Sequence, residues 1–127
     1  MKIAIVQMFP VFLKKDENFS KMKYFYEKTD ADLVLFPELI LSGYNFNNQS
    51  EAVKCAINKE DEIVKYFMKE TLKRNNAIIF GAAVKREGKL YNSQIFISGE
   101  NVTVYDKVNL FNRENLFFEP GKEMRIV

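Results

Sequence analysis

The sequence predicts an α/β fold in which a mixed sheet is covered on one face by two helices. Five short runs rich in β-branched and aromatic residues are typical of strands, and two segments between the first three runs carry apolar residues at helical spacing. The order strand, helix, strand, helix and then three strands indicates crossovers followed by hairpins. One domain is expected, since 127 residues of ordinary globular composition suit a single core.

The first half of the chain supplies two strands and one helix. Lys2 to Met8 is a β-branched run that fits a buried strand, and Pro10 ends it. Asp16 is the expected N-cap of the following helix, and Leu33 to Phe36 predicts the second strand. The helix has a buried face at helical spacing, made of Phe19, Met22, Phe25 and Tyr26.

The second half supplies another helical region and three strands. The helical region opens at Ser50 and ends at Asn75 and Asn76. Its apolar stripe consists of Ile63, Val64, Phe67, Met68 and Leu72. Apolar or alternating runs predict the strands, at residues 77–84, 90–97 and 102–105. All five glycines are expected at turns, and Glu123 to Val127 indicates the start of one more strand.

Composition excludes several kinds of function. A net charge of +2, from 19 basic and 17 acidic residues, gives no basic footprint for nucleic acid or for an anionic membrane. No apolar stretch reaches the roughly 20 residues that span a bilayer, and the apolar run at residues 1–7 is too short for the h-region of a signal peptide, so a cytoplasmic protein is expected. With one cysteine and no histidine, neither an internal disulfide nor the usual zinc site can form. Nothing indicates a metal, nucleotide or flavin cofactor.

An ordered set of motifs resembles the N-terminal part of the nitrilase superfamily, the carbon-nitrogen hydrolases. The motifs share the family's order and spacing over almost the whole chain: 4–7, 36–39 followed by 42–44, Gly81 before 90–93, 105–107, and Glu114 before 118–121. The resemblance implies the N-terminal half of a four-layer αββα sandwich. It also implies that residues 1–127 form a partial domain that ends before the segment with the nucleophilic cysteine.

The resemblance assigns roles to particular residues. In the family a cysteine thiolate attacks the nitrile or amide carbon, a glutamate moves protons and a lysine stabilises the tetrahedral intermediate. Glu38 and Lys107 match the glutamate and the lysine, and Glu114 matches a second glutamate that orients the site. A carboxylate shielded from water has a raised pKa, which we expect for Glu38. Tyr44 either lines the substrate pocket or only packs its ring against the sheet.

Without their flanking motifs these residues would be read as ordinary surface groups. Glutamate and lysine are seldom buried, and Glu114 could be a capping or surface carboxylate beside Arg113. Cys55 is not taken as the nucleophile. It lies in a helical stretch between Glu38 and Lys107, whereas the family places its cysteine after both, so Cys55 is expected to be structural.

Two functions follow from the sequence. The first is a carbon-nitrogen hydrolase that acts on a non-peptide C–N bond of a small amide, carbamoyl compound or nitrile and releases ammonia. Its Cys-Glu-Lys site would need a missing C-terminal half, and the complete protein is expected to be a homo-oligomer. The alternative is a non-catalytic α/β remnant or partner-binding module without the nucleophile. In either case the second face of the sheet is left to water, so we expect the isolated chain to associate or to be poorly soluble.

Overall fold

A computed structural model describes residues 1–123 as one five-stranded mixed sheet with three α-helices. The strands are β1 (Ile3–Ile5), β2 (Leu33–Leu35), β3 (Ala77–Arg86), β4 (Lys89–Ser98) and β5 (Asn101–Asp106). The helices are α1 (Lys15–Lys28), α2 (Gln49–Cys55) and α3 (Glu62–Arg74), followed by a 3₁₀-helix at Asn112–Leu116. The strand expected at the C-terminus falls, beyond Glu123, outside the described residues.

The sheet has the predicted mixed topology. Its strands lie in sequence order, with β1, β2 and β3 parallel and with β4 and β5 added as antiparallel hairpins. The parallel strands need helical crossovers, which α1 and the α2–α3 segment provide, while the tight turns at Gly88 and Gly99 allow direct hairpins. The α/β class predicted from the sequence is therefore confirmed.

The second helical region is two helices, not one. Between them the backbone of Ile57 pairs with β3, where it accepts from Lys85 N and donates to Ala83 O, both at 2.9 Å. Asn48 caps the start of α2 by accepting from Glu51 N at 3.1 Å, and Asp61 caps α3 by accepting from Ile63 N at 3.0 Å. A long-range strand contact thus interrupts an otherwise continuous helical pattern.

The predicted cap of the first helix is also wrong. The N-cap of α1 is Lys14, which makes no side-chain cap, and Asp16 lies inside the first turn, where its charge complements the helix dipole. The buried Asn18 anchors this helix instead. Its side chain accepts from Val11 N at 2.7 Å and donates to the carbonyls of Val11 and Leu41 at 2.8 and 3.0 Å.

The main core lies between the first face of the sheet and helices α1 and α3. Alternate residues of β3 and β4 point into it, and they pair across the strands as Ile78 with Ile97 and Phe80 with Ile95. The ring of Phe67 on α3 packs on Phe80 and on Tyr26 of α1, with centroids 5.6 and 5.4 Å apart. The first face is therefore buried along β3 and β4.

The second face is covered only at one end. There α2, the 3₁₀-helix and the loops around them form a smaller apolar cluster with the sheet, made of Leu39, Phe46, Ala52, Ala83, Leu90, Phe117 and Phe118. At the other end Ile5 is 79% exposed, and its register partners Leu35, Ile79 and Phe96 are only partly buried. An apolar strip thus runs across the sheet beside the covered end.

Candidate active site

Glu38 lies in a tight turn that follows β2 and is tied to the neighbouring strand. Gly81 N donates to Pro37 O at 3.1 Å, and Ile40 N donates to Gly81 O at 3.0 Å. Gly81 lies inside β3, contrary to the expectation that every glycine marks a turn. A Cβ at this position would overlap the Glu38 backbone and lie 2.7 Å from Leu39 N, so only glycine lets the Glu38 turn approach the sheet this closely.

Lys107 follows the end of β5 and is held by backbone bonds on both sides. Lys107 N donates to Asn92 O at 2.8 Å, and Gly121 N donates to Lys107 O at 2.9 Å. The preceding residue, Asp106, accepts from Arg86 at 2.6 Å and from Ser93 at 2.7 Å. Because neighbouring residues of a strand face opposite ways, these contacts fix the strand end while the lysine side chain is directed to the second face.

Glu114 is presented by the 3₁₀-helix. Its Oε2 accepts from Phe111 N at 2.6 Å, which closes the first turn of that helix. The Lys107 ammonium lies 3.0 Å from Oε1 of Glu38 and 3.0 to 3.1 Å from the two carboxylate oxygens of Glu114. The structure therefore brings together all three residues that the sequence motifs singled out.

Asn92 is a site residue that the sequence reading missed. It lies on β4 opposite Ala83, is 2% exposed, and its Nδ2 donates to Oε1 of Glu38 at 2.6 Å and to Oε1 of Glu114 at 2.8 Å. In the sequence, Asn92 belongs to the segment 90–93, which served only as one of the family motifs and was given no role in the site. An asparagine on the same strand face as the buried Leu90 could have indicated a buried polar contact.

Tyr44 contacts the site rather than packing flat on the sheet. Its hydroxyl donates to Oε2 of Glu38 at 2.6 Å, while half of the residue stays exposed. Tyr44, Glu38, Lys107 and Glu114 line one open cavity of about 430 Å³. The remaining wall of this cavity is contributed by Leu39, Asn45, Phe46, Phe111, Asn112, Arg113, Phe117 and Phe118. Aromatic rings thus surround a small charged centre.

The electrostatics of the site correct one expectation. Burial acts to raise the pKa of the Glu38 carboxyl, but hydrogen bonds from Tyr44, Lys107 and Asn92 together outweigh it, and the pKa lies below its ordinary value. Burial acts to lower the pKa of Lys107, but its bonds to Glu38 and Glu114 raise it overall. Burial and the adjacent Glu38 carboxylate raise the pKa of Tyr44. The centre therefore holds an ionised carboxylate, an ammonium and a neutral phenol at neutral pH.

Cys55 lies away from this centre. It ends α2, is buried, and lines a separate small cleft with Leu13, Lys15 and Lys54. Burial raises the pKa of its thiol, which favours the unreactive protonated form. Within residues 1–123, the Cys, Asp and Glu side chains form no group of three that could hold a metal ion. No helix in that part of the chain combines the length and apolar character needed to cross a membrane.

Comparison with known proteins identifies a family and several relatives of this chain. The family model for carbon-nitrogen hydrolase matches residues 2–127. The chain is 36% identical to a nitrilase of Pyrococcus abyssi, over 95% of this chain and 48% of that protein. It is 28% identical to a 2-oxoglutaramate amidase of Bacillus subtilis, over 95% of this chain and 48% of that protein.

A solved structure shows the same fold. A carbon-nitrogen hydrolase superfamily protein of Xanthomonas campestris, with an arsenic adduct in its active site, superposes with a TM-score of 0.83 at 22% identity. The match covers 97% of this chain and 47% of that one. The chain therefore spans about half the length of the relatives that it matches.

Proposed function

This chain belongs to the carbon-nitrogen hydrolase family, as its motifs predicted, and from that membership we propose that it supplies Glu38, Lys107 and Glu114 to a hydrolytic site. The site would cleave a non-peptide C–N bond of a small amide, carbamoyl compound or nitrile. The observation that carries the proposal is the Lys107 ammonium, which lies within 3.1 Å of both carboxylates at the wall of one cavity. Such a cluster is more typical of a site that stabilises charge during a reaction than of an ion pair on a solvated surface.

The nucleophile would come from a C-terminal half. The relatives are about twice as long as this chain, which leaves room for the cysteine segment that the family requires. That half would also cover the apolar strip around Ile5, Ile79 and Phe96. The same proposal predicts that the complete protein is a homo-oligomer and is located in the cytoplasm.

The proposed reaction on an amide has two stages. In the first, the cysteine thiol passes its proton to the Glu38 carboxylate, and the sulfur attacks the carbonyl carbon. The carbonyl oxygen becomes an oxyanion, which the Lys107 ammonium stabilises. Glu38 then returns the proton to the nitrogen, so ammonia leaves and a thioester remains. In the second stage, water that passes a proton to Glu38 hydrolyses the thioester to a carboxylic acid and restores the thiol.

The ionisation of the site supports these roles. The lowered pKa of Glu38 keeps it ionised at neutral pH, so it can accept the first proton. The raised pKa of Lys107 keeps it cationic, which favours oxyanion stabilisation and disfavours general-base catalysis by the lysine. Glu114 also accepts from Lys107, and it would hold the ammonium in place. Tyr44 would orient Glu38 at the mouth of the cavity.

The substrate class is taken from the relatives and from the cavity. One relative is named a nitrilase and another an amidase of 2-oxoglutaramate, so nitrile and amide carbon are both chemically accessible to this kind of site. The cavity of about 430 Å³ is at the small end of ligand pockets. A small, non-peptide amide, carbamoyl compound or nitrile therefore fits the proposal best.

The test uses the chain with and without a partner half. The chain alone should release no ammonia from amides or nitriles, and co-expression with a matching C-terminal half should restore release. Lys107→Ala should abolish the restored activity, and Cys55→Ser should leave it unchanged. If Cys55→Ser removed the activity without unfolding the protein, the assigned site would be wrong. If no matching half restored activity, the chain would be a non-catalytic binding module.

A further inference from the structure

We infer that Asn92 is a positioning residue, which holds the Glu38 and Glu114 carboxylates on either side of the Lys107 ammonium. Its importance for catalysis rests on the proposed function. The positioning role itself does not depend on the proposed function, because it is argued from hydrogen bonds within this chain. Asn92 contacts all three charged residues, Glu38 and Glu114 through its side chain and Lys107 through its backbone.

Four atoms form a closed ring of hydrogen bonds. Two donors, Nδ2 of Asn92 and Nζ of Lys107, alternate with two acceptors, Oε1 of Glu38 and Oε1 of Glu114. The four sides of the ring measure 2.6, 2.8, 3.0 and 3.1 Å. Each carboxylate oxygen thus receives one hydrogen from an amide and one from an ammonium. This arrangement fixes the two carboxylates relative to each other as well as to the lysine.

The chemistry of the ring determines the orientation of the amide. An ionised carboxylate can only accept, so the group that faces both Glu38 and Glu114 must be the NH₂ of Asn92 and not its carbonyl oxygen. A primary amide nitrogen carries two hydrogens, and the two glutamates use both of them. Oε2 of Glu38 stays outside the ring, where Tyr44 donates to it. Asn92 therefore also decides which oxygen of Glu38 is turned toward Tyr44.

A neutral donor is the residue type that this position requires. A second cation would neutralise the glutamates and compete with Lys107 for them. An aspartate would add a third carboxylate to a place where only 2% of the residue is exposed, and an apolar residue would leave the two existing carboxylates without a shared donor. Asparagine supplies two hydrogens without changing the charge of the centre.

The backbone of the same residue positions the lysine. Asn92 O accepts from Lys107 N at 2.8 Å, where the pairing of β4 with β5 ends. The register of β4 against β3 places Asn92 opposite Ala83, two residues beyond the Gly81 that admits the Glu38 turn. Pairing of β4 with its two neighbouring strands thus places Asn92 between the Glu38 turn, the 3₁₀-helix that carries Glu114, and the end of β5 that precedes Lys107.

The test titrates the glutamate carboxyls of the full chain by ¹³C NMR, with Glu38→Gln and Glu114→Gln used to assign the signals. In Asn92→Leu, which removes both donors at similar volume, the titration midpoint of Glu38 should shift upward. The matched control is Asn76→Leu, since Asn76 is also buried but contacts Tyr26 and Ala31 instead. That control should leave the midpoint of Glu38 where it is. An unchanged midpoint in Asn92→Leu would overturn the inference.

A measurement on the unaltered chain covers the case in which Asn92→Leu does not fold. One of the two Nδ2 protons of Asn92 should change chemical shift as Glu38 titrates. If neither proton responded to that titration, the ring would not exist and the inference would be wrong. Neither readout needs enzymatic activity. Failure to restore ammonia release would therefore count against the proposed function and not against the role of Asn92.

Discussion

Replacing Lys107 with methionine should destabilise the chain in a pH-dependent way. The change keeps the apolar part of the side chain and removes the only cation that contacts both Glu38 and Glu114 among the described residues. Both carboxylates bond to the same Nδ2 of Asn92 at 2.6 and 2.8 Å, so their Oε1 atoms are at most about 5.4 Å apart. At that distance two negative charges repel by about 1 kcal/mol in water and about 3 kcal/mol at an effective dielectric constant of about 20.

The cost should lie within that range near neutral pH. Glu38 is 29% exposed and Glu114 is 12% exposed, so the medium between them is neither bulk water nor a dry interior. Because the pKa of folded Glu38 is lowered, its contribution to stability is present above its unfolded value of about 4.5 and is lost as the pH falls through the folded value. The difference between the native chain and Lys107→Met should therefore shrink toward zero in acid.

Urea unfolding at about pH 7 and about pH 3, followed by circular dichroism, measures this difference. The control is Lys89→Met, which removes an exposed lysine from β4 and should change the free energy of unfolding by less than about 0.5 kcal/mol at either pH. A cost for Lys107→Met that is equal at the two pH values would refute the reasoning. It would mean that the lysine contributes by packing and not by pairing with the two carboxylates.

Three further predictions concern the surroundings of the centre. Gly81→Ala should lower the free energy of unfolding by about 1 to 3 kcal/mol, measured in urea, because the added Cβ would overlap the Glu38 backbone. The control is Gly88→Ala, whose Cβ meets no atom within 4 Å and which should cost only the strain of its positive φ. Tyr44→Phe should raise the pKa of Glu38, measured by NMR, since it removes one of the bonds that favour the carboxylate; an unchanged pKa would contradict the 2.6 Å contact. Cys55 should react with a thiol reagent only as fast as the chain opens, because the residue is buried and its thiol pKa is raised; fast reaction in the folded state would contradict that placement.

Local patterns were enough to predict the order of the elements, apart from the split of the second helical region, and to single out the three charged residues that the structure brings together. Strands and helices differ in hydrophobic period, and Glu38, Lys107 and Glu114 each stand in a short motif that can be recognised without knowing the fold. The break between α2 and α3 was not predictable in this way. It depends on the pairing of Ile57 with β3, a contact between residues 27 positions apart in sequence.

Asn92 and the pKa of Glu38 were missed for a related reason. The partners of Asn92 come from a turn after β2 and from the 3₁₀-helix, so its role depends on the register of β4 against two other parts of the chain. The sign of the pKa change depends on whether three donors reach Glu38 at hydrogen-bond distance. Sequence gives the residue types but not those distances, and burial alone predicts the opposite sign.

The uncovered part of the second face links the stability of the chain to the chemistry of its site. Lys107 and Glu38 remain 32% and 29% exposed, so water screens the charges that the proposed reaction needs. We expect a C-terminal half to exclude water from the site as well as to supply a nucleophile. A partner half whose cysteine is replaced by serine should bind, raise the pKa of Glu38 by further burial, and restore no ammonia release. If that half bound and left the pKa of Glu38 unchanged, the covering would not reach the site, and the nucleophile would be its only contribution.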